Sequence, residues 1–435
     1  MLLIAVAGMG HAGSSPLMRA LHAGDHERLA LVLRQGADPD ARQADGSLPL
    51  AWAIDRQDTT AVRILLEAGA DPDDPAPQGN AFRPLFVACL HPTPVILDAL
   101  LDAGADVRVR GPDGLPVLAP CAARAPLPIL QRMLRQGADP NVADSRGQTA
   151  LMWAAQHARI DSFDALLQAG ARLEQRSTGG WTAMMFAVKS GSAAMARRVR
   201  DAGGDLAERA PEDTTLVQLA MYQGNYDFAG DLIDAGADLN AYDRNGRQLL
   251  HAAVMADQPA LVAKLLAAGA DPQPFTTASR VPWRFESNFK AGTYEFPRAS
   301  ALLLAAKRGN RAIMRALLDA GADPLAVTSD GDHLILAAVA GGEPDALALA
   351  LERLDRVNVP NTAGETALHR ALRGAADPRF EVMLGLLADH GARTDLANGA
   401  GKTARELALD VHFKGRDAFT RVFETGSGIA AEVGP

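Results

Sequence analysis

Cysteine is nearly missing from this chain: Cys89 and Cys121 are the two among 435 residues. So few exclude a disulfide framework and a thiolate zinc set, and both are expected to act as small buried hydrophobes. Aromatic residues make up only 5% of the sequence and lysine occurs six times, so a local crowding of either carries information. The preference for arginine over lysine is the kind met in GC-rich bacterial genomes. No apolar run approaches the roughly 20 residues of a membrane-spanning helix. A net charge of −9 without a basic block lacks the electrostatic footprint of a nucleic-acid binder. H-E-x-x-H, G-x-S-x-G, Walker and paired C-x-x-C motifs are all absent. The sequence therefore assigns no catalytic residue, no metal ligand and no cofactor.

One glycine-rich fingerprint does occur, GMGHAG at residues 8–13, directly after an apolar run. A dinucleotide site there needs a parallel βαβ unit, and the residues that follow read as helix. Residues 1–14 are expected to form an apolar N-terminal cap on a cytoplasmic protein. The alternative is a signal segment, although no Lys or Arg precedes it, which would place the protein in the periplasm or outside the cell.

What the chain has is a period. The block LVLRQGADPD at Gly36 returns at Gly69, Gly104, Gly137, Gly170, Gly203, Gly236, Gly269, Gly321 and Gly391, mostly in steps of 33 residues. Ten residues after each comes a second mark, often glycine, then a helix start. Thr149, Thr182 and Thr366 can cap it, and Pro16, Pro49 and Pro84 suit its first turn. An alanine-rich helix follows, then a leucine-rich one that ends at the recurring glycine. The aspartates after those glycines, Asp38, Asp71, Asp106, Asp139, Asp238, Asp271 and Asp323, belong to the turn and can bond its amides.

A helix, a turn, a second helix and a projecting loop, repeated every 33 residues with TALHRA at Thr366 and looser copies at Ser15, Leu48 and Gln248, resembles the ankyrin repeat. The resemblance covers residues 15–425 and implies an all-α solenoid of eleven to twelve units, a C-terminal cap near its end and a loose tail over residues 426–435. It also implies that His251 and His369 brace neighbouring turns, and that Trp52, Trp153 and Phe186 fill seams between units. Arg42, Arg110, Arg176 and Arg209 share a register expected to be a solvated edge. Asp213, where a turn glycine is expected, and Leu354, where a helix-ending glycine is expected, mark candidate soft joints. Irregular helices are expected around Pro116, Pro120, Pro126 and Pro128.

Ankyrin-like arrays usually bind protein along the concave face, through loop tips and the ends of the first helices. Carried over residue by residue, the candidate partner-binding positions are Gln156, His157, Trp181, Lys189, Tyr222, Gln223, Arg247, Met255, Lys307 and Arg308. Trp283, Phe285 and Tyr294 join them from an aromatic-rich insertion at residues 273–298, which lengthens one step by 19 residues. A connection of that length and composition reads as a working loop, with a hairpin turning near Ala291-Gly292. The function expected is a non-catalytic adaptor or scaffold, monomeric alone, that holds a protein partner and neither nucleic acid nor membrane. The alternatives are an exported accessory or immunity protein guarding a partner enzyme and, more remotely, an enzyme using an insertion residue such as Glu286.

Overall fold

The computed structural model describes residues 15–43, 48–74, 83–278, 283–284, 291–292, 298–374, 379–410 and 413–425. The readings of residues 1–14 and of the tail fall outside them. Among the described residues, 24 helices form twelve helix-turn-helix pairs, from Pro16–Ala23 with His26–Arg34 to Ala404–Asp410 with Phe413–Phe423. The chain divides into two compact units, Met1–Phe228 and Ala229–Pro435. Within each, first helices pack on neighbouring first helices and second helices on second helices.

The first helices are short because their signals are close together. Pro16, Pro49 and Pro84 open theirs at the first position, and the hydroxyls of Ser15, Thr149 and Thr182 accept the amides of Met18, Met152 and Met185. Alanines such as Ala53, Ala154, Ala187 and Ala305 are fully buried in these helices. Their small side chains let adjacent backbones approach, while Phe163, Leu65 and Leu317 of the second helices fill the interior. Each such large side chain contributes roughly 1.5–3 kcal/mol by leaving water. The turn glycines close the second helices; Gly137, at φ +95°, holds a conformation that a side chain would strain.

Caps at the second helices are worth less than core side chains. Asp25 caps His26–Arg34 by accepting the Arg28 amide at 2.9 Å. Asp25→Ala is expected to cost about 1 kcal/mol, read as a lower urea midpoint with unchanged helix content.

The projecting loops are tied from repeat to repeat. All seven recurring aspartates accept the amide two residues on, as Asp38 does from Asp40 and Asp139 from Asn141. Asn141 then reaches forward, giving its side-chain amide to the Gly170 carbonyl and accepting from Arg172. Gln273 does the same to Gly321 and Asp323, and Asn358 to Gly391 and Arg393. Loop tips are joined by backbone bonds such as Thr178 N–H to Arg146 and Thr277 N–H to Gly246.

Some expectations need correction or refinement. Cys89 and Cys121 are buried, but they form a disulfide, with their Cα atoms 4.8 Å apart. They sit on the adjacent first helices Pro84–Leu90 and Leu118–Arg124, in a packing face that tolerates only small side chains. The proline-rich pair has regular helices, Leu118–Arg124 and Leu127–Arg135, of the usual lengths. Pro120 and Pro128 fall in first turns, where no intrahelical amide bond is lost. The four loop arginines are exposed as expected, and they also staple turns: Arg110, Arg176 and Arg209 donate to the carbonyls of Gly114, Gly180 and Asp213, and Arg42 pairs with Asp74. Lastly, the expected antiparallel pairing is present, but Ala291-Gly292 lies in its second strand, opposite Trp283-Arg284, and not at its turn.

The departures in the repeat are absorbed locally. Asp213 adopts φ +60° in place of the glycine, and Leu354 leaves its helix in an extended conformation with its side chain buried.

Candidate binding surface

The ends of the first helices place the candidate residues at the surface. Gln156 ends Ala150–Gln156 and His157 caps it, both exposed. Lys189 ends Ala183–Lys189, exposed, with its ammonium 5.2 Å from the ring centre of Trp181. The half-buried Trp181 also leans on buried Phe186, ring centres 5.5 Å apart. Tyr222, half-buried, ends Leu216–Tyr222, and exposed Gln223 caps it. These three helices are consecutive neighbours in the unit Met1–Phe228, so Gln156, His157, Lys189, Tyr222 and Gln223 share one face.

In the unit Ala229–Pro435, Arg247, Met255 and Lys307 line one pocket with room of about 100 Å³, together with Asn245, Thr276, Thr277, Asp330 and Asp332. Arg308 caps Ala301–Lys307 next to Lys307 and is exposed. Burial works to raise the Asp332 carboxyl, but bonds from Arg370 at 2.8 and 2.9 Å and from Asn361 outweigh it and hold the group below the usual carboxylate range. The pocket wall therefore stays charged and fixed.

The insertion leaves that wall. Phe275 bridges Ser300, and the Thr276 amide bonds the Ala299 carbonyl. Elsewhere the same bridge, Ala143 to Thr149, closes a short loop tip. The whole 19-residue excess lies between the bridge residues, so the insertion is a lengthened tip and not a break in the array. First helices Leu249–Met255 and Ala301–Lys307 still pack directly. Of its candidates, Trp283 is placed by its strand alone, and Phe285 and Tyr294 lie outside the described residues.

His251 is wholly buried and links two turns. Its Nδ1 accepts the Gln248 amide at 3.3 Å and its Nε2 donates to the Pro274 carbonyl at 3.0 Å. Burial pulls it down to about 4, which the bond to Pro274 opposes only in part. His369 makes the equivalent pair of bonds, to Thr366 and to the Lys402 carbonyl. His333, not singled out in the sequence, reaches the Val359 carbonyl from a helix cap.

Apart from His157, the sequence reading did not single out a set of basic side chains set against rings or carbonyls. The Arg56 guanidinium lies 4.8 Å from the ring centre of half-buried Trp52, and His22 meets the same ring edge-on at 4.9 Å. His157 stacks on half-buried Trp153, 5.7 Å apart with an 8° tilt, while its Nδ1 donates to the Trp153 carbonyl. Arg124 donates to the Leu90 carbonyl at 2.9 Å. Phe186 packs as a seam residue, buried to 4% exposure; Trp52 and Trp153 are half-buried and carry Arg56 and His157 on one face. The signal was available, since these cations recur one helix turn beyond the Trp position.

Among the described residues, no helix is long and apolar enough to cross a membrane. A search of curated proteins returned no match. Among solved structures, the chain is similar to the ankyrin repeat domain of Bcl-3, described as a unique member of the IkappaB protein family. The two are 26% identical, with a TM-score of 0.41, over 48% of this chain and 94% of that one. The family model described as ankyrin repeats (3 copies) matches residues 17–111, 118–209 and 301–405. Those segments take in well over half of the sequence and fall on the same helix-turn-helix pairs, and on this ground the chain belongs to the ankyrin repeat family.

Proposed function

We propose that this protein is a non-catalytic scaffold that holds a protein partner on the first-helix face, with the lengthened loop tip at residues 273–298 as a second contact. Ankyrin repeats generally mediate protein–protein interaction. The observation that carries the reading here is the row of exposed polar and cationic side chains at the ends of adjacent first helices, where packing does not require them. Tyr222, Arg56 and Arg124 lie at these helix ends, and Tyr and Arg are among the residue types that most often dominate interface energy. The pocket lined by Arg247, Met255 and Lys307 at the root of the lengthened tip supports the second contact.

Trp283→Ala with Phe285→Ala is expected to weaken partner binding by about 2 kcal/mol, roughly 30-fold, with the thermal midpoint unchanged. An equal loss of stability would assign those aromatics to the core instead.

A second reading, export to an oxidising compartment, is favoured by the Cys89–Cys121 disulfide, because such bonds persist outside the reducing cytoplasm. In that setting the protein guards or restrains a partner enzyme as an accessory or immunity protein. Mass spectrometry of the N-terminal peptide of the native protein tests it. A mature chain beginning near Gly13 supports export, and an intact Met1 supports the cytoplasmic adaptor.

A further inference from the structure

In the unit Met1–Phe228, six consecutive first helices each carry a basic residue in the last turn or at the C-cap: His22, Arg56, His91, Arg124, His157 and Lys189. All six are exposed, and the one acid in the same two positions is Asp55. Arg56, Arg124 and Lys189 are the row's fixed cations, and the whole chain carries −9, so composition does not explain this local run of positive charge. Its surroundings differ from those of two cations on the second helices. There Arg132 pairs with Asp98 and Asp102, and Arg198 with Asp164. Among the described residues, Arg56, Arg124, His157 and Lys189 make no ion pair with a carboxylate. Arg56, His157 and Lys189 rest on the rings of Trp52, Trp153 and Trp181, and Arg124 on a backbone carbonyl. Aromatic faces restrict these long side chains without neutralising them, so less freedom is lost when an anion arrives.

We infer that the row at the ends of these first helices binds an acidic segment of a protein partner. The inference rests on the scaffold reading above and names the chemistry of what the scaffold holds. Six helices about 10 Å apart span roughly 50 Å, the reach of about 15 extended residues. A segment with Glu or Asp at intervals along that length matches the row. Nucleic acid matches it less well, because a chain of net charge −9 repels a continuous polyphosphate while a spaced row does not neutralise one.

The test is fluorescence anisotropy with labelled peptides of about 15 residues, alternating Glu with Ser or Lys with Ser, and a single-stranded oligonucleotide. The full chain is expected to bind the Glu peptide and not the Lys peptide. Binding should weaken several-fold as ionic strength rises from about 0.05 to about 0.3 M. Arg56→Gln with Arg124→Gln and Lys189→Gln is expected to lose at least tenfold, and Arg63→Gln on a second helix to lose nothing; circular dichroism checks that each variant is folded. Equal binding of both peptides, tighter binding of the oligonucleotide, or no loss in the triple variant overturns the inference. If the Glu peptide does not bind while a photo-crosslinker at Gln156 still captures the partner, the scaffold reading stands and the acidic chemistry fails. If the cross-link also fails, the scaffold reading itself falls.

Discussion

Removing the disulfide, by Cys89→Ala with Cys121→Ala, is expected to cost the unit Met1–Phe228 about 3–4 kcal/mol of stability. The two cysteines are 32 residues apart, and closing a loop of that size removes this much conformational freedom from the unfolded chain. Alanine is the right replacement, because the first helices around the bond are lined with buried alanines and the lost sulfur leaves little space. In a repeat array each unit leans on its neighbours, so the loss is centred on the third and fourth helix pairs. Trp52, Trp153 and Trp181 lie in this unit and Trp283 in the other, so tryptophan fluorescence in urea reports mainly on the affected half. Dithiothreitol should bring the wild type down to the level of the double variant and leave the variant unmoved. A wild type indifferent to reductant, with a midpoint equal to that of the variant, would mean that the bond contributes nothing to stability.

The second large effect is acid sensitivity at His251. The unfolded imidazole titrates near 6.5, whereas the folded one is held at about 4 by burial. Between those values the unfolded chain binds a proton that the folded chain refuses. Stability is therefore full above about pH 6.5, falls as the pH drops toward 4, and levels off below. The difference corresponds to about 3 kcal/mol, for a side chain with no exposed surface. The bonding gives the same sign. Nδ1 accepts an amide from Gln248 and Nε2 donates to Pro274, so an added proton on Nδ1 would face another N–H. His251→Gln should flatten most of the fall between pH 7 and pH 4.5 relative to wild type. His333, also pulled down by burial, adds to the wild-type slope in the same direction, so the difference between the two proteins is the quantity to measure. Parallel curves would show that His251 is protonated freely in the folded state.

The fold was legible because it is written many times. Each recurring glycine, each aspartate two residues before a bonded amide and each proline at a first turn repeats the same local instruction, and the register carries the reading across weak copies. The corrections fall where a residue's meaning depends on a partner in another repeat. Cys89 gives no sign of Cys121 until two first helices are side by side. The prolines at 120 and 128 looked disruptive singly, but their places in the register were first-turn places. The loop arginines do form a wet edge, but their bonds to backbone carbonyls are displayed by no sequence pattern. The bonds made by His251 and His369 follow from the T-P-L-H register. The aromatic-backed cations needed one more step, comparing a local row of charge with the opposite charge of the whole chain.

The central claim is that the first-helix face holds the partner. It is tested most directly by placing a photo-crosslinking amino acid at Gln156 or Gln223 on that face, or at Arg63 on the exposed side of a second helix, and irradiating native cells. The account predicts one shared cross-linked protein from Gln156 and Gln223 and none from Arg63. The same product from Arg63, with none from the other two, would contradict it.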